Sequence, residues 1–176
     1  MSDETPIEVL ERRLEETSEL DPADTGRLDT LIALIDRLLF RDRERMAPWL
    51  EELERSSSAR DYAPGLAMVW RAKAVLTAFS GESKEGFDYA QRALDAYTRL
   101  GDDRGRARVL DFLATGNEIL GDYSAAIELG YQALALNRKL GDRKWEAWAL
   151  SSVGGVLAAS GDADGALERL HEALEL

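Results

Sequence analysis

The chain contains no cysteine, which removes disulfides, thiolate nucleophiles and thiolate metal ligands together and makes a reducing cytoplasm a permissible home. Histidine is nearly as scarce: His171 stands alone, so a zinc site would have to be built from carboxylates. Lysine occurs only at Lys73, Lys84, Lys139 and Lys144, leaving arginine as the main cation. No basic start followed by an apolar stretch marks a secretory signal. The longest apolar run, Leu31 to Phe40, is broken by Asp36 and Arg37, far short of a membrane span. Positive charge is short overall. A formal net charge of −12 argues against nucleic acid and against an anionic membrane surface, both of which require a basic face. A neutral, cationic or locally basic partner is favoured. Residues 1–21 carry Asp3, Glu4, Glu8, Glu11, Glu15, Glu16, Glu19 and Asp21 against Arg12 and Arg13, so the opening segment is the acidic extreme.

What is present is an internal repeat. The 176 residues, 45% of them apolar, suffice for one domain with a continuous core, and a repeat decides the architecture before any local reading. Gly81, Gly121 and Gly161 lie 40 residues apart. Glu82, Asp122 and Asp162 follow them, then Gly86, Ala126 and Ala166, then the pairs Ala93-Leu94, Ala133-Leu134 and Ala173-Leu174. Upstream, Ala67, Ala107 and Ala147 align, as do Trp70, Leu110 and Leu150, and Ala74, Ala114 and Gly154. Leu100-Gly101-Asp102 and Leu140-Gly141-Asp142 mark junctions. Residues 102–136 laid over 142–176 give ten identities in 35 positions, where shared composition alone gives on the order of three.

Each unit reads as two helices, because apolar and small residues recur three and four apart on both sides of the central glycine and no stretch alternates like a strand. In the unit from Asp102, a first helix runs from about Arg104 to Leu120, Gly121 takes the left-handed position and Asp122 caps the second helix. Ala114, Ala126 and Ala133 then belong where the two helices touch. The N-terminal third fits less well. Asp21-Pro22 reads as a cap followed by proline at the first helical position, with Leu28, Leu31, Ile35, Leu38 and Leu39 forming an apolar stripe. Arg41 occupies the slot of the repeat glycine, and Pro48 predicts a longer turn with the next helix beginning near Arg45 to Ala47. Ser56-Ser57-Ser58 reads as a loop separating this degenerate unit, 21–61, from the regular ones. Thr5-Pro6-Ile7-Glu8 is a capping-box pattern opening a short helix within residues 1–20 that caps the array.

The units 62–101, 102–141 and the shorter 142–176 resemble tetratricopeptide repeats of the longer, roughly 40-residue kind. The resemblance rests on Leu110, Leu113 and Ala114, and Leu150, Val153 and Gly154, in first helices, and on Ala166, Leu170 and Ala173 in a second helix. Ala90 and Gly130 depart from it, standing where a large side chain is usual, and Leu-Gly replaces the proline that commonly closes the second helix. The resemblance implies an all-α, right-handed superhelical array of antiparallel helix hairpins in a single domain. Its concave face, lined by first helices, holds a protein or peptide. On that mapping the partner-binding candidates are Met68, Arg71, Val75, Arg108, Asp111, Thr115, Glu118, Trp148 and Ser151. Arg71, Arg108 and Trp148 lead, because arginine and tryptophan contribute disproportionately to interfaces. The plain alternative for each is a solvated charge or a core residue. Chaperone-binding members use groove Lys and Asn residues that this chain does not reproduce. Units with Gly-Asp turns also occur in the sensory regions of bacterial multidomain signalling proteins, which suggests a context.

Other constellations are weaker. Asp162-Ala163-Asp164-Gly165 lacks the spacing and terminal glutamate of a calcium loop and reads as a helix–helix turn. Gly154-Gly155 costs roughly 1 kcal/mol per glycine in a helix and points to close helix contact. No carboxylate pair is marked for acid–base work, and no enzyme activity, metal or cofactor is expected. The last unit stops at Leu176, five residues before the junction its predecessors predict. The uncovered hairpin predicts continuation as the N-terminal part of a longer signalling protein, a homodimer through the C-terminal hairpin, or both. Three functions follow: a protein-interaction scaffold, a regulator responding to a peptide or small molecule, and a homotypic dimerisation module.

Overall fold

The computed structural model describes residues 5–17, 25–80 and 83–176, and these contain nine α-helices and no strand. They are α1 (Ile7–Glu16), α2 (Gly26–Leu38), α3 (Arg43–Arg60), α4 (Ala63–Ser80), α5 (Ser83–Leu100), α6 (Asp103–Ile119), α7 (Tyr123–Leu140), α8 (Arg143–Ser160) and α9 (Ala163–Leu174). The cap expected at Asp21-Pro22 and the turn at Gly81-Glu82 lie outside the described residues.

The Gly-Asp dipeptides build the turns. At each one the glycine adopts positive φ, +67° at Gly101, +79° at Gly121, +65° at Gly141 and +95° at Gly161, a region that side chains with a Cβ avoid. This folds the chain back so that the next residue's N–H reaches a carbonyl five residues upstream: Asp102 to Tyr97 at 2.9 Å, Asp122 to Asn117 at 2.9 Å, Asp142 to Asn137 at 3.1 Å and Asp162 to Leu157 at 2.9 Å. The same aspartates cap the following helices, accepting from the N–H groups of Gly105, Ala125, Trp145 and Gly165. One dipeptide thus ends a helix and begins its antiparallel neighbour. Asp162-Ala163-Asp164-Gly165 is one of these turns.

Three expectations for the N-terminal third are corrected. First, α3 begins at Arg43, capped by Asp42, and runs through Pro48. Proline removes the hydrogen bond to the Glu44 carbonyl, but Glu44 and Pro48 are both exposed, so water replaces the lost donor. Secondly, Ser56-Ser57-Ser58 is helical. Ser57 is fully buried because a Cβ on the facing Gly65 of α4 would lie 2.0 Å from its Oγ; the small pair brings α3 against α4. The turn before α4 falls at Asp61, which takes the left-handed conformation (φ 51°) while Tyr62 N–H bonds the Ser57 carbonyl. Thirdly, α1 begins at Ile7 with Pro6 at its cap position, one residue after the start a capping box on Thr5 implies.

Packing changes character along the chain. The first part is filled by large side chains, among them Leu10, Leu14, Leu28, Leu31, Ile35, Leu38, Met46 and Leu53. From α4 onward buried alanines take over: Ala67, Ala74, Ala90, Ala93, Ala107, Ala114, Ala126 and Ala133. Small residues allow the backbones to approach. At Gly130, where a large residue is usual, a Cβ would meet Val153 Cγ2 at 2.7 Å, so Val153 of α8 occupies the space. The pair Gly154-Gly155 divides: Gly154 lies under Leu170 of α9, whereas nothing approaches Gly155.

First helices of successive hairpins touch one another, α2 with α4, α4 with α6 and α6 with α8, whereas among the described residues the second helices α3, α5, α7 and α9 make no such contacts with each other. The first helices therefore line the inner side of the array. The result is an all-α solenoid.

Candidate functional site

Asn137 is fully buried near the end of α7, and its register repeats every 40 residues as Ser57, Tyr97 and Asn137, each of them buried. The facing positions are Gly65, Gly105 and Trp145. Each pair is complementary in a different way: a Cβ on Gly105 would lie 2.3 Å from the Tyr97 ring, as one on Gly65 would strike Ser57. In the third pair the bulk moves to the first helix as Trp145. Asn137 donates from Nδ2 to the Trp145 carbonyl at 3.2 Å.

Arg108 completes this third junction. Its guanidinium donates to Asn137 Oδ1 at 3.3 Å and to Asp142 at 3.1 Å, and it stacks 3.4 Å from the centroid of the Trp145 ring. Burial pulls its pKa below the ordinary arginine value, and Asp142 opposes that pull. The previous junction has a parallel arrangement 40 residues earlier, where Met68 holds the position of Arg108. Tyr97 Oη lies 3.8 Å from Met68 Sδ, and Arg71 pairs with Asp36 of α2. Burial pushes Tyr97 up to about 12. It also pushes the Asp36 carboxyl up, but Arg71 and Arg108 outweigh it and leave Asp36 below the usual carboxylate value.

These contacts sort the nine residues picked from sequence. Met68 and Val75 are core residues, so neither presents a contact surface. Arg71 and Arg108 are buried with their charges directed to Asp36, Asn137 and Asp142, and they join helices. Asp111 is 5% exposed, and neither carboxylate oxygen has a hydrogen-bond partner; burial raises its pKa to about 7, with Arg108 opposing. Glu118 is half-buried, while Thr115, Trp148 and Ser151 are exposed. Sequence reasoning missed Asn137, Trp145 and Asp36. The first two had a signal, a 40-residue register in which a small–large pair exchanges sides.

Trp148 is 61% exposed and rests against Trp145. Its ring packs edge-on against Trp145 with centroids 6.0 Å apart and planes at 61°, Trp145 is pinned by Arg108, and Arg108 is pinned by Asn137 and Asp142. An aromatic surface held in advance gives up little freedom on contact. The Thr115 and Ser151 hydroxyls donate within their own helices, to the Asp111 carbonyl at 3.1 Å and the Ala147 carbonyl at 2.9 Å, which leaves their oxygens as acceptors.

The architecture is that of a helical-repeat scaffold. The family model described as tetratricopeptide repeat matches residues 65–139 and 118–176, more than half of the chain, and the protein belongs to that family. A comparison with curated proteins finds no match. Among solved structures, the chain is similar to BtubC (BKLC) from P. vanneervenii: 21% identity, a TM-score of 0.70, and coverage of 96% of this chain and 70% of that one. That likeness concerns the fold. Tetratricopeptide repeats generally mediate protein–protein contacts, and among the described residues no helix is long and apolar enough to cross a membrane.

Proposed function

We propose that the chain binds a protein or peptide on the inner face of α6 and α8, with Trp148 as the anchor and Thr115, Glu118 and Ser151 around it. The observation that carries this reading is Trp148 itself: a large aromatic, 61% exposed, on a helix lining the inner side and held by Trp145. Rigid, exposed aromatics on a scaffold are the residues that dominate interfaces. Nothing in this reading calls for a catalytic group or cofactor; the chain acts as a scaffold, and its 40-residue Gly-Asp units suggest service in a larger signalling protein. The test is a selection of displayed peptides on the wild-type chain followed by amide hydrogen exchange of the complex. Protection is expected in α6 and α8 on their inner sides. Protection confined to the outer helices would overturn the assignment.

A second reading has its own observation. On α9, Leu167 and Leu174 are 68% and 85% exposed, an apolar face consistent with homotypic association. Sedimentation at rising concentration tests it: dimers that dissociate in Leu167→Glu/Leu174→Glu support it, and a monomer throughout excludes it.

A further inference from the structure

A recess lies between α6 and the α4–α5 hairpin. It encloses about 190 Å³ and is lined by Ala78, Gly86, Phe87, Phe112, Thr115, Gly116, Ile119 and Leu120, none of them charged. Phe87 and Phe112 give it aromatic walls. Its glycines set the fit of the walls: a Cβ on Gly116 would meet the Phe87 ring at 2.8 Å, and one on Gly86 would meet Thr77 Oγ1 at 2.8 Å. Ile119 and Leu120 are 79% and 65% exposed. Their apolar surface stands in water beside an apolar hollow, and contiguous exposed apolar surface is a feature of interaction sites. The charges flanking these residues in sequence are mostly acidic: Glu85 before Gly86, Asp88 after Phe87, Glu118 before Ile119 and Asp122 after Gly121, with Lys84 the single base among them.

We infer that this recess is a second docking point, taking one bulky apolar side chain of a protein partner whose neighbouring residues are basic. The apolar lining selects the anchor. The acids that flank the lining in sequence outnumber Lys84 and the Arg43 guanidinium that stacks on Phe79 beside Ala78, within a chain of net charge −12, and select its flanks: opposite charge speeds encounter and like charge disfavours it. Thr115 belongs to this lining and is also one of the inner-face candidates. The inference adds a second contact and does not require the first.

The probe is the blocked tripeptide Lys-Trp-Lys, titrated into the ¹⁵N-labelled full chain, with Lys-Ala-Lys and Glu-Trp-Glu as comparisons. Lys-Trp-Lys is expected to shift the amides of Gly86, Phe87 and Gly116 saturably, with affinity at least fivefold above either comparison. The variant Ile119→Lys/Leu120→Lys alters two exposed rim residues and keeps the fold. It is expected to lose that binding at least fivefold while the amides of α8 respond as in wild type. Shifts confined to the surroundings of Trp148 and Ser151 would leave the inner-face reading standing and overturn this one. Equal binding of Lys-Trp-Lys and Glu-Trp-Glu would overturn the basic-flank requirement, and unchanged affinity in the variant would overturn the pocket.

Discussion

Asp111 shows how strongly one buried group can shape this fold. Its folded pKa of about 7 lies above the ordinary 3.8, so between those values the folded state holds a proton that the unfolded chain releases. The contribution of Asp111 to stability is therefore fully present below about pH 4, is lost as pH rises toward 7, and no longer changes above it; the loss is on the order of 4 kcal/mol. Asp111→Asn removes that dependence. Urea unfolding of both proteins at pH 5 and pH 8 is expected to show the variant gaining on wild type at the higher pH, and parallel behaviour would contradict the burial of this carboxylate. The glycines make a second residue-scale test. Gly154→Ala places a Cβ 2.9 Å from Leu170 Cγ and is expected to cost about 1 to 2 kcal/mol by overpacking. Gly155→Ala meets nothing within 4 Å and is expected to stabilise by about 0.5 to 1 kcal/mol, since alanine is the better helix former. Opposite shifts in Tm for two adjacent substitutions are the sign to look for.

At the scale of elements, α3 carries Pro48 in its interior on the exposed side, with the Glu44 carbonyl left to water. Pro48→Ala restores the missing donor and is expected to raise stability by about 1 to 3 kcal/mol in thermal unfolding. The regular turns were legible in the sequence because glycine and aspartate perform two separable tasks, a left-handed stop and a capped start, and each leaves a letter at a fixed interval. The degenerate turns were harder to read. At residues 39–42 none of the described residues adopts a left-handed conformation, and before α4 an aspartate takes the place of glycine. Ser56-Ser57-Ser58 misleads as a loop because serine is common in turns, whereas here Ser57 is selected for smallness against Gly65. Propensity gave way to packing.

Over the whole molecule, the helix pairs followed from the 40-residue period and the solenoid with its inner face from the resemblance to tetratricopeptide repeats, but the residues that face solvent there followed from neither. Periodicity places Met68, Arg108 and Trp148 on one line. Whether a member of that line is core, strut or surface depends on what packs against it: Tyr97 of the second helix covers Met68, Asn137, Asp142 and Trp145 hold Arg108, and Trp148 stands exposed beside Trp145 of its own helix. The consequence for experiment is direct. Arg108→Glu places a second acid beside Asp142 and breaks the α6–α7–α8 junction, so lost binding in that variant reports on folding and not on contact. Trp148→Ala removes exposed aromatic surface and leaves the junction intact. The decisive measurement is therefore the affinity of a peptide selected on the wild-type chain for wild type and for Trp148→Ala, with Tm recorded for both. The account predicts at least a tenfold loss of affinity, about 1.4 kcal/mol or more, with Tm nearly unchanged. Equal affinity for the two proteins would contradict the inner face of α6 and α8 as the binding surface.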